Sequence, residues 1–440
     1  MLDHFLKLRQ ELYHFFPERK DSLMNLIDSL AGNQNAISVV RLSLEPAYQR
    51  SYSTISKAID HVFNEQSRSP KEMTRLLQEN LPPSQILVTD VTPIERPFAE
   101  TLQERCFIYK ASSIKKQTPI TVGHNYSFVC ALAPEEKWVL PLSVARVKPT
   151  DIRSLVGIGQ VEEIVRNYSQ KWIHVADTDY SNKNALKRLA HLPCTSVIRL
   201  RSNRVLYFPA DWSYKASRRP KIYGKKFYFK HPNQAHEQIS IDSEKGCLKI
   251  ERWNDLLIRE VQVQVDVVRV RLYKNNCPIF KHPLWLAVVG QRDINIRQIY
   301  DAYRRRFDIE HFFRFGKRKL LLNSFQTPKV ESEENWLWIA MLSQWMLYFA
   351  KEYAAYHPLP WEKKGRKLLS SCHVQRDYGR IIKEIVQHTH FPKRRGNSSG
   401  RPLGTKLTKR KRYKIIKKWK FKQNKAQGPP KMVKNCIEAI

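Results

Sequence analysis

Two short apolar runs, residues 85–89 (QILVT) and 172–176 (WIHVA), each lead straight into an aspartate, Asp90 and Asp177. Runs of this length, rich in β-branched residues, predict strands buried on both faces. Helical periodicity follows at residues 154–168 and 184–190, and further strand-like runs lie at 106–109, 120–123, 126–132 and 196–200. Strands that alternate with helices build an α/β sheet, and such sheets gather ligands at their strand ends. One strand-end Asp is often only a turn or capping residue. Two of them, at the ends of the two most buried strands, point to a site.

The order of three strands, a helix, a strand, a helix and a strand resembles the opening of a ribonuclease-H-like domain. Its expected extent is 83–206 and 282–350, because residues 284–289 (LWLAVV) resume a buried strand and helices follow at 294–322 and 335–356. Residues 207–281 are polar and β-like, notably at 226–229 and 261–272, and read as an inserted β subdomain. Residues 1–82 read as helices: Leu2, Phe5, Leu8, Leu12 and Phe16 keep a helical beat that Pro17 ends. With Arg41, Arg50 and Lys57 they form either a DNA-binding bundle or a plain scaffold. Residues 351–390 are expected to be a C-terminal helical region. Residues 391–440 carry 17 Lys and Arg against one acid, Glu438, and are expected to stay flexible until they meet DNA.

Charge selects the partner. The 440 residues hold 77 Lys and Arg against 41 Asp and Glu, a formal +36, while 42% hydrophobic content supports a real core. A folded chain this basic repels itself unless a polyanion neutralises it. The 7 cysteines form no CxxC pair, so neither a zinc ribbon nor a disulfide framework is indicated. The first ten residues lack the apolar core of a signal peptide, and residues 336–350 are too short to span a bilayer and contain Gln344. They read as a buried helix. The expected location is the cytoplasm, beside a prokaryotic nucleoid, with no membrane partner.

The helix expected at 294–322 carries the most informative pattern. Tyr303, Arg306, Glu310 and Lys317 fall on one stripe at about 100° per residue. A core stripe would be apolar, yet this one is polar and charged in a Phe-rich neighbourhood (Phe307, Phe312, Phe313, Phe315). An intrahelical salt-bridge ladder is the simpler alternative. If Glu310 meets Asp90 and Asp177, three carboxylates offer the hard oxygen donors that Mg²⁺ takes. Two such ions activate an attacking hydroxyl and stabilise the leaving oxygen of a phosphodiester.

These residues resemble a bacterial insertion-sequence transposase of the DDE type, the group with a Tyr-x2-Arg-x3-Glu-x6-Lys signature. Tyr303, Arg306, Glu310 and Lys317 match all four positions. Asp177 and Tyr180 match the group's Asp-x-x-Tyr, and Asp90-Val91-Thr92 its first acid. The resemblance covers about residues 85–350. It implies catalysis and metal binding by Asp90, Asp177 and Glu310, using two Mg²⁺ for which Mn²⁺ can substitute. It implies phosphate binding by Tyr303, Arg306 and Lys317. It also implies double-stranded DNA partners, both terminal inverted repeats and target DNA, and a homodimer in the synaptic complex. Trp285 is either a platform for a flipped base or a core residue. Asp179 stands where the group often has Gly; in an extended strand it would share Asp177's side, so it is a second candidate ligand.

In the tail, Gly400-Arg401-Pro402 resembles a minor-groove hook, with an ordinary basic tail as the alternative. Gly157-Ile158-Gly159 lacks the third glycine of a dinucleotide loop, and no GxxxxGK[ST] occurs, so no nucleotide cofactor is expected. His124 reads as a structural histidine. Two rival functions stay open: a DNA-binding protein of the same fold that no longer cuts, and a nuclease that hydrolyses without joining strands.

Overall fold

The computed structural model describes residues 2–64, 68–109, 120–134, 137–168, 170–210, 222–259, 261–362, 368–386, 400, 402–406 and 408–417. Four helices open it: α1 (Leu2–Phe15), α2 (Lys20–Ala31), α3 (Ser53–Ile59) and α4 (Pro70–Glu79). The last begins on a capping box in which Ser69 and Glu72 satisfy each other's backbone, with Pro70 as its first residue. Next come β1 (Ile86–Glu95), β2 (Cys106–Tyr109), β3 (Ile120–Leu132), β4 (Val139–Val147), α5 (Arg153–Asn167), β5 (Ile173–Ala176), α6 (Lys183–Leu189) and β6 (Thr195–Arg199). The third stretch holds β7 (Leu206–Pro209), β8 (Tyr223–Phe227), β9 (Glu237–Ser243), β10 (Gly246–Ile258), β11 (Gln264–Lys274), β12 (Cys277–Pro278) and β13 (Leu284–Gly290). Helices α7 (Ile296–Arg304), α8 (Asp308–Arg318), α9 (Val330–Ala350) and α10 (Ser371–Val386) close it.

The α/β class holds: among the described residues, thirteen strands form one mixed sheet. Its path runs β2-β3-β1-β5-β6-β13-β11-β10-β7-β8, with β4 on β3, β9 on β10 and β12 on β11. The centre is parallel: β1 pairs with β5 and β5 with β6. β3 runs antiparallel to β1, and β13 antiparallel to β6. Residues 207–281 supply strands, as expected, but these extend the central sheet through β11 and β13.

Three expectations about elements change. Strand β4 was not anticipated, because Pro141 interrupts its pattern. It is accommodated where the register slips between Val129 and Cys130, a bulge at which a missing N–H does no harm. The runs at 120–123 and 126–132 are one strand. The long helix expected at 294–322 is broken by a 3₁₀ turn at Arg305–Phe307 into α7 and α8.

The N-terminal helices pack into the body rather than standing apart. α9 is buried nearly all round, as its apolar run predicted, and α1, α2, α3 and α10 pack on it. Asp28 of α2 takes Arg9 of α1 at 2.6 Å and the Tyr378 hydroxyl of α10 at 2.9 Å. Thr74 of α4 donates to the Leu142 carbonyl of β4 at 3.0 Å. No described helix is long and apolar enough to cross a membrane. Part of the tail expected to be flexible is placed against residues 100–106: Tyr413 N donates to Glu100 O and Ile416 N to Arg105 O.

Candidate active site

The geometry begins with the register of two parallel strands. The last registered pair of β1 and β5 is Thr89 with Ala176. Asp90 and Asp177 are the next residues on neighbouring strands, so both carboxylates leave the sheet at one level. Asp90 does not end its strand, contrary to the sequence reading. β3 keeps pairing with β1 as far as Glu95, so only the parallel side of β1 is released at Asp90. Asp177 does end its strand and caps the 3₁₀ turn Thr178–Ser181, its side chain accepting from Asp179 N at 2.9 Å. That turn separates Asp177 from Asp179. The chain is not extended there, Asp179 is exposed, and the alternation that would have put both on one side is lost.

Phenylalanines carry the third acid over the first. Asp90 sits directly across from Phe128 on β3, and cross-strand partners share a face. Phe312 and Phe313 of α8 meet Phe128 edge-on, with ring centroids 6.0 and 5.4 Å away. Docking this face of α8 brings Glu310, three residues before Phe313 and so nearly on the same side of the helix, to the same place. The 3₁₀ turn turns its residues by about 120° rather than 100° each, which re-aims α8 relative to α7.

Arg306, in that turn, lies between the acids. Its Nη1 is 3.5 Å from Asp90 Oδ2 and its Nη2 is 3.3 Å from Glu310 Oε1. Burial pushes the Asp90 carboxyl up to about 6, reinforced by the charges of Asp177 and Glu310 and opposed by Val91 N–H and Arg306. Burial, then the charge of Asp179, also raises Asp177. Burial lowers the Arg306 guanidinium, but Tyr303, Asp90, Glu310 and Asp177 more than reverse it. All three acids and Arg306 therefore share one electrostatic neighbourhood.

The other signature residues are placed unequally. Tyr303 is nearly buried on α7 and lies within reach of the charges of Arg306 and Arg199. Lys317 donates from Nζ to the Pro93 carbonyl of β1 at 2.9 Å, and burial lowers its ammonium. Here it ties α8 to β1 rather than standing open to solvent. Trp285 is a core residue, 4% exposed among Phe227, Phe229 and Trp253, with Arg269 over its ring. An exposed stacking platform at Trp285 is not what this packing offers. Arg401 lies outside the described residues. His124 is structural: with Arg96 and the Tyr126 hydroxyl it surrounds the buried carboxylate of Glu333 at 2.6–2.7 Å.

The site rests on a buried polar row that sequence reading missed. His174 of β5, fully buried, touches Thr89 Oγ1 at 3.1 Å and Ser196 Oγ at 3.3 Å. Burial alone drives its imidazole down to about 3, so it stays neutral. Above this row Gly157 of α5 admits the Tyr180 ring: a Cβ there would stand 2.4 Å from the Tyr180 hydroxyl and 2.7 Å from Thr89 Cγ2. The first glycine of the GxG is thus a packing residue. Arg199 was missed as well, though it ends a buried strand beside the one that leads into Asp177.

Carboxylate oxygens are the donor type that hard divalent cations take. Burial first, and then repulsion among the acids, lifts Asp90, and a bound cation would offset both. Among the described residues no three acidic, His or Cys side chains yet form a closed cage, and the Arg306 guanidinium lies between two of the three acids.

Comparison with solved structures finds a piggyBac transposase, in a synaptic complex with hairpin DNA, at a TM-score of 0.41 and 13% identity, over 84% of this chain and 72% of that one. A likeness that distant carries no argument here. Comparison with curated proteins finds no match. The family described as DDE superfamily endonuclease matches residues 11–257, a span that holds Asp90 and Asp177 and stops short of Glu310. That span is more than half of the sequence, and the chain belongs to the DDE superfamily endonucleases.

Proposed function

We propose that this protein is a transposase that cuts DNA at the inverted-repeat ends of its own mobile element and joins the 3′ ends to target DNA. One observation carries the reading. Two acids leave adjacent parallel strands at one level, and a third is packed over the first by the Phe128–Phe312–Phe313 contact. The strand order β4-β3-β1-β5-β6, antiparallel then parallel, supports a ribonuclease-H-like frame for that site.

In this reading Asp90, Asp177 and Glu310 hold two Mg²⁺ ions, with Mn²⁺ able to substitute. The bound ions would lower the pKa of the attacking water or 3′-hydroxyl and stabilise the leaving oxygen. Arg306, which here pairs with Asp90 and Glu310, would take a DNA phosphate in place of those partners. Tyr303 offers a hydroxyl to the same backbone, and Lys317 locks α8 onto β1 so that Glu310 keeps its place. A basic surface gathers the duplex, and two copies hold the two ends.

The test is a cleavage assay on DNA carrying the element's ends, with Mg²⁺. Asp90→Asn, Asp177→Asn and Glu310→Gln are each expected to lower the rate by roughly 10³-fold or more, while Asp179→Ala retains activity. Full activity in any of the first three overturns the mechanism. Hydrolysis without strand joining under every condition favours a nuclease. A protein that binds DNA but no longer cuts is the second reading, favoured by the position of Arg306 between two acids. Isothermal titration with Mn²⁺ separates it, since it predicts no carboxylate-dependent uptake.

A further inference from the structure

The register that aligns Asp90 and Asp177 continues one strand further. β5 pairs with β6 in parallel, and the last registered pair is Ala176 with Ile198. The next residue on β6 is Arg199. Thr89, Ala176 and Ile198 thus share one level and one face, and Asp90, Asp177 and Arg199 follow them at the next level and on the opposite face. Three neighbouring strand positions therefore read acid, acid, cation. Strands stand ~4.8 Å apart, which puts the Arg199 backbone about one strand spacing from Asp177 and about two from Asp90.

Arg199 is exposed, while the four preceding residues of its strand are buried. Arg252 on β10, Arg269 on β11 and Arg292 just after β13 are each held by carboxylates at 2.5–2.6 Å. No such short ion pair to Arg199 occurs among the described residues. A solvated arginine that needed only a partner would be expected to find one in that company. The charge of Arg199 nonetheless reaches both Asp177 and Tyr303, favouring the ionised form of each.

We infer that Arg199 is a DNA-contacting residue of this site, holding a backbone phosphate that flanks the one at the acids. The inference rests on the proposed function. Arg306 bridges Asp90 and Glu310, at the β1 end of the row of strand positions, and Arg199 stands at its β6 end, beyond Asp177. A polyanionic strand crossing the row of strand ends has its reacting phosphate over the carboxylates and a neighbouring phosphate over Arg199. The planar guanidinium suits that role, since it grips two phosphate oxygens at once. The contact would fix the register of the strand without reading its sequence.

The test is binding of the full chain to a short mixed-sequence duplex, followed by fluorescence anisotropy across a salt series without divalent metal. Loss of one phosphate contact lowers the slope of log K against log salt by ~0.9. Arg199→Ala is expected to show that drop and to bind several-fold more weakly at low salt. Arg199→Lys is expected to keep the slope, and Arg166→Ala, on α5 across the sheet, to leave it unchanged. On end-containing DNA, one neutral methylphosphonate beside the cut should weaken the wild type and leave Arg199→Ala unaffected. A wild-type slope in folded Arg199→Ala, or equal sensitivity of both proteins to every methylphosphonate, overturns this inference alone. Absence of any wild-type binding overturns the proposed function and this inference with it.

Discussion

Asp90 is where charge, burial and position meet, and its protonation is the most direct handle on the site. Its folded value of about 6 lies above the ordinary 3.8, so the folded state holds the proton more tightly. The resulting stabilisation is fully present below about pH 3.8 and is lost as pH rises through about 6. Asp90→Asn removes the repulsion with Asp177 and Glu310 and also the ion pair with Arg306. The net expectation is a variant that melts above the wild type near pH 8, by on the order of 1–2 kcal/mol, with the gap closing below about pH 4. Thermal melts at the two pH values check this. Added Mg²⁺ is expected to raise the wild-type melting temperature and leave that of Asp90→Asn nearly unchanged. Mg²⁺ affinity is expected to weaken as pH drops below about 6, because the metal must displace the proton that Asp90 then holds.

At the scale of elements, close packing holds the acids in place from both faces of the sheet. On one face α5 approaches β1 only because residue 157 has no Cβ. Gly157→Ala is expected to push α5 away from β1 and cost about 1–3 kcal/mol in a urea titration. Tyr180→Phe in the same chain removes the atom nearest the new methyl and is expected to recover much of the loss. On the other face α8 rests on Phe128 through Phe312 and Phe313. Phe313→Ala is expected to cost about 3 kcal/mol and, in protein that remains folded, to lower kcat more than it raises KM, because Glu310 loses its seat. Beyond the site, Glu333 anchors α9 to β1 and β3 by meeting Arg96, His124 and Tyr126. Its burial would raise the carboxyl, but those three partners outweigh it and hold it below the usual range.

Across the whole molecule, one hydrophobic core runs from Phe5 in α1 to Ile382 in α10. The expected division into an N-terminal helical domain and a catalytic domain therefore has no matching gap in the packing. Removal of residues 1–82 strips α9 of the partners that α1, α2 and α3 provide. That truncation is expected to yield insoluble or molten protein rather than a trimmed enzyme, and calorimetry of the intact chain to show the helices and the sheet unfolding together. A surviving, cooperatively folded fragment 83–440 would show that the helices are a separable module.

The sequence alone determined the class of fold, singled out the candidate acids and, through its net charge, pointed to a polyanionic partner. Buried strands, helical periods and net charge are written in local patterns that need no knowledge of distant contacts. The strands at 106–109, 172–176 and 196–200 and the buried α9 were legible for that reason. Tertiary structure alone decided which acids share a face, because that depends on strand register, and register is fixed by pairing between residues far apart in the chain. It took Asp179 off Asp177's side through a turn, buried Trp285 among aromatics, turned Lys317 toward the Pro93 carbonyl and aligned Arg199 with the two aspartates. It also merged the expected β insertion and N-terminal helices into a single body, since burying apolar surface rewards continuity of the core wherever the chain allows it.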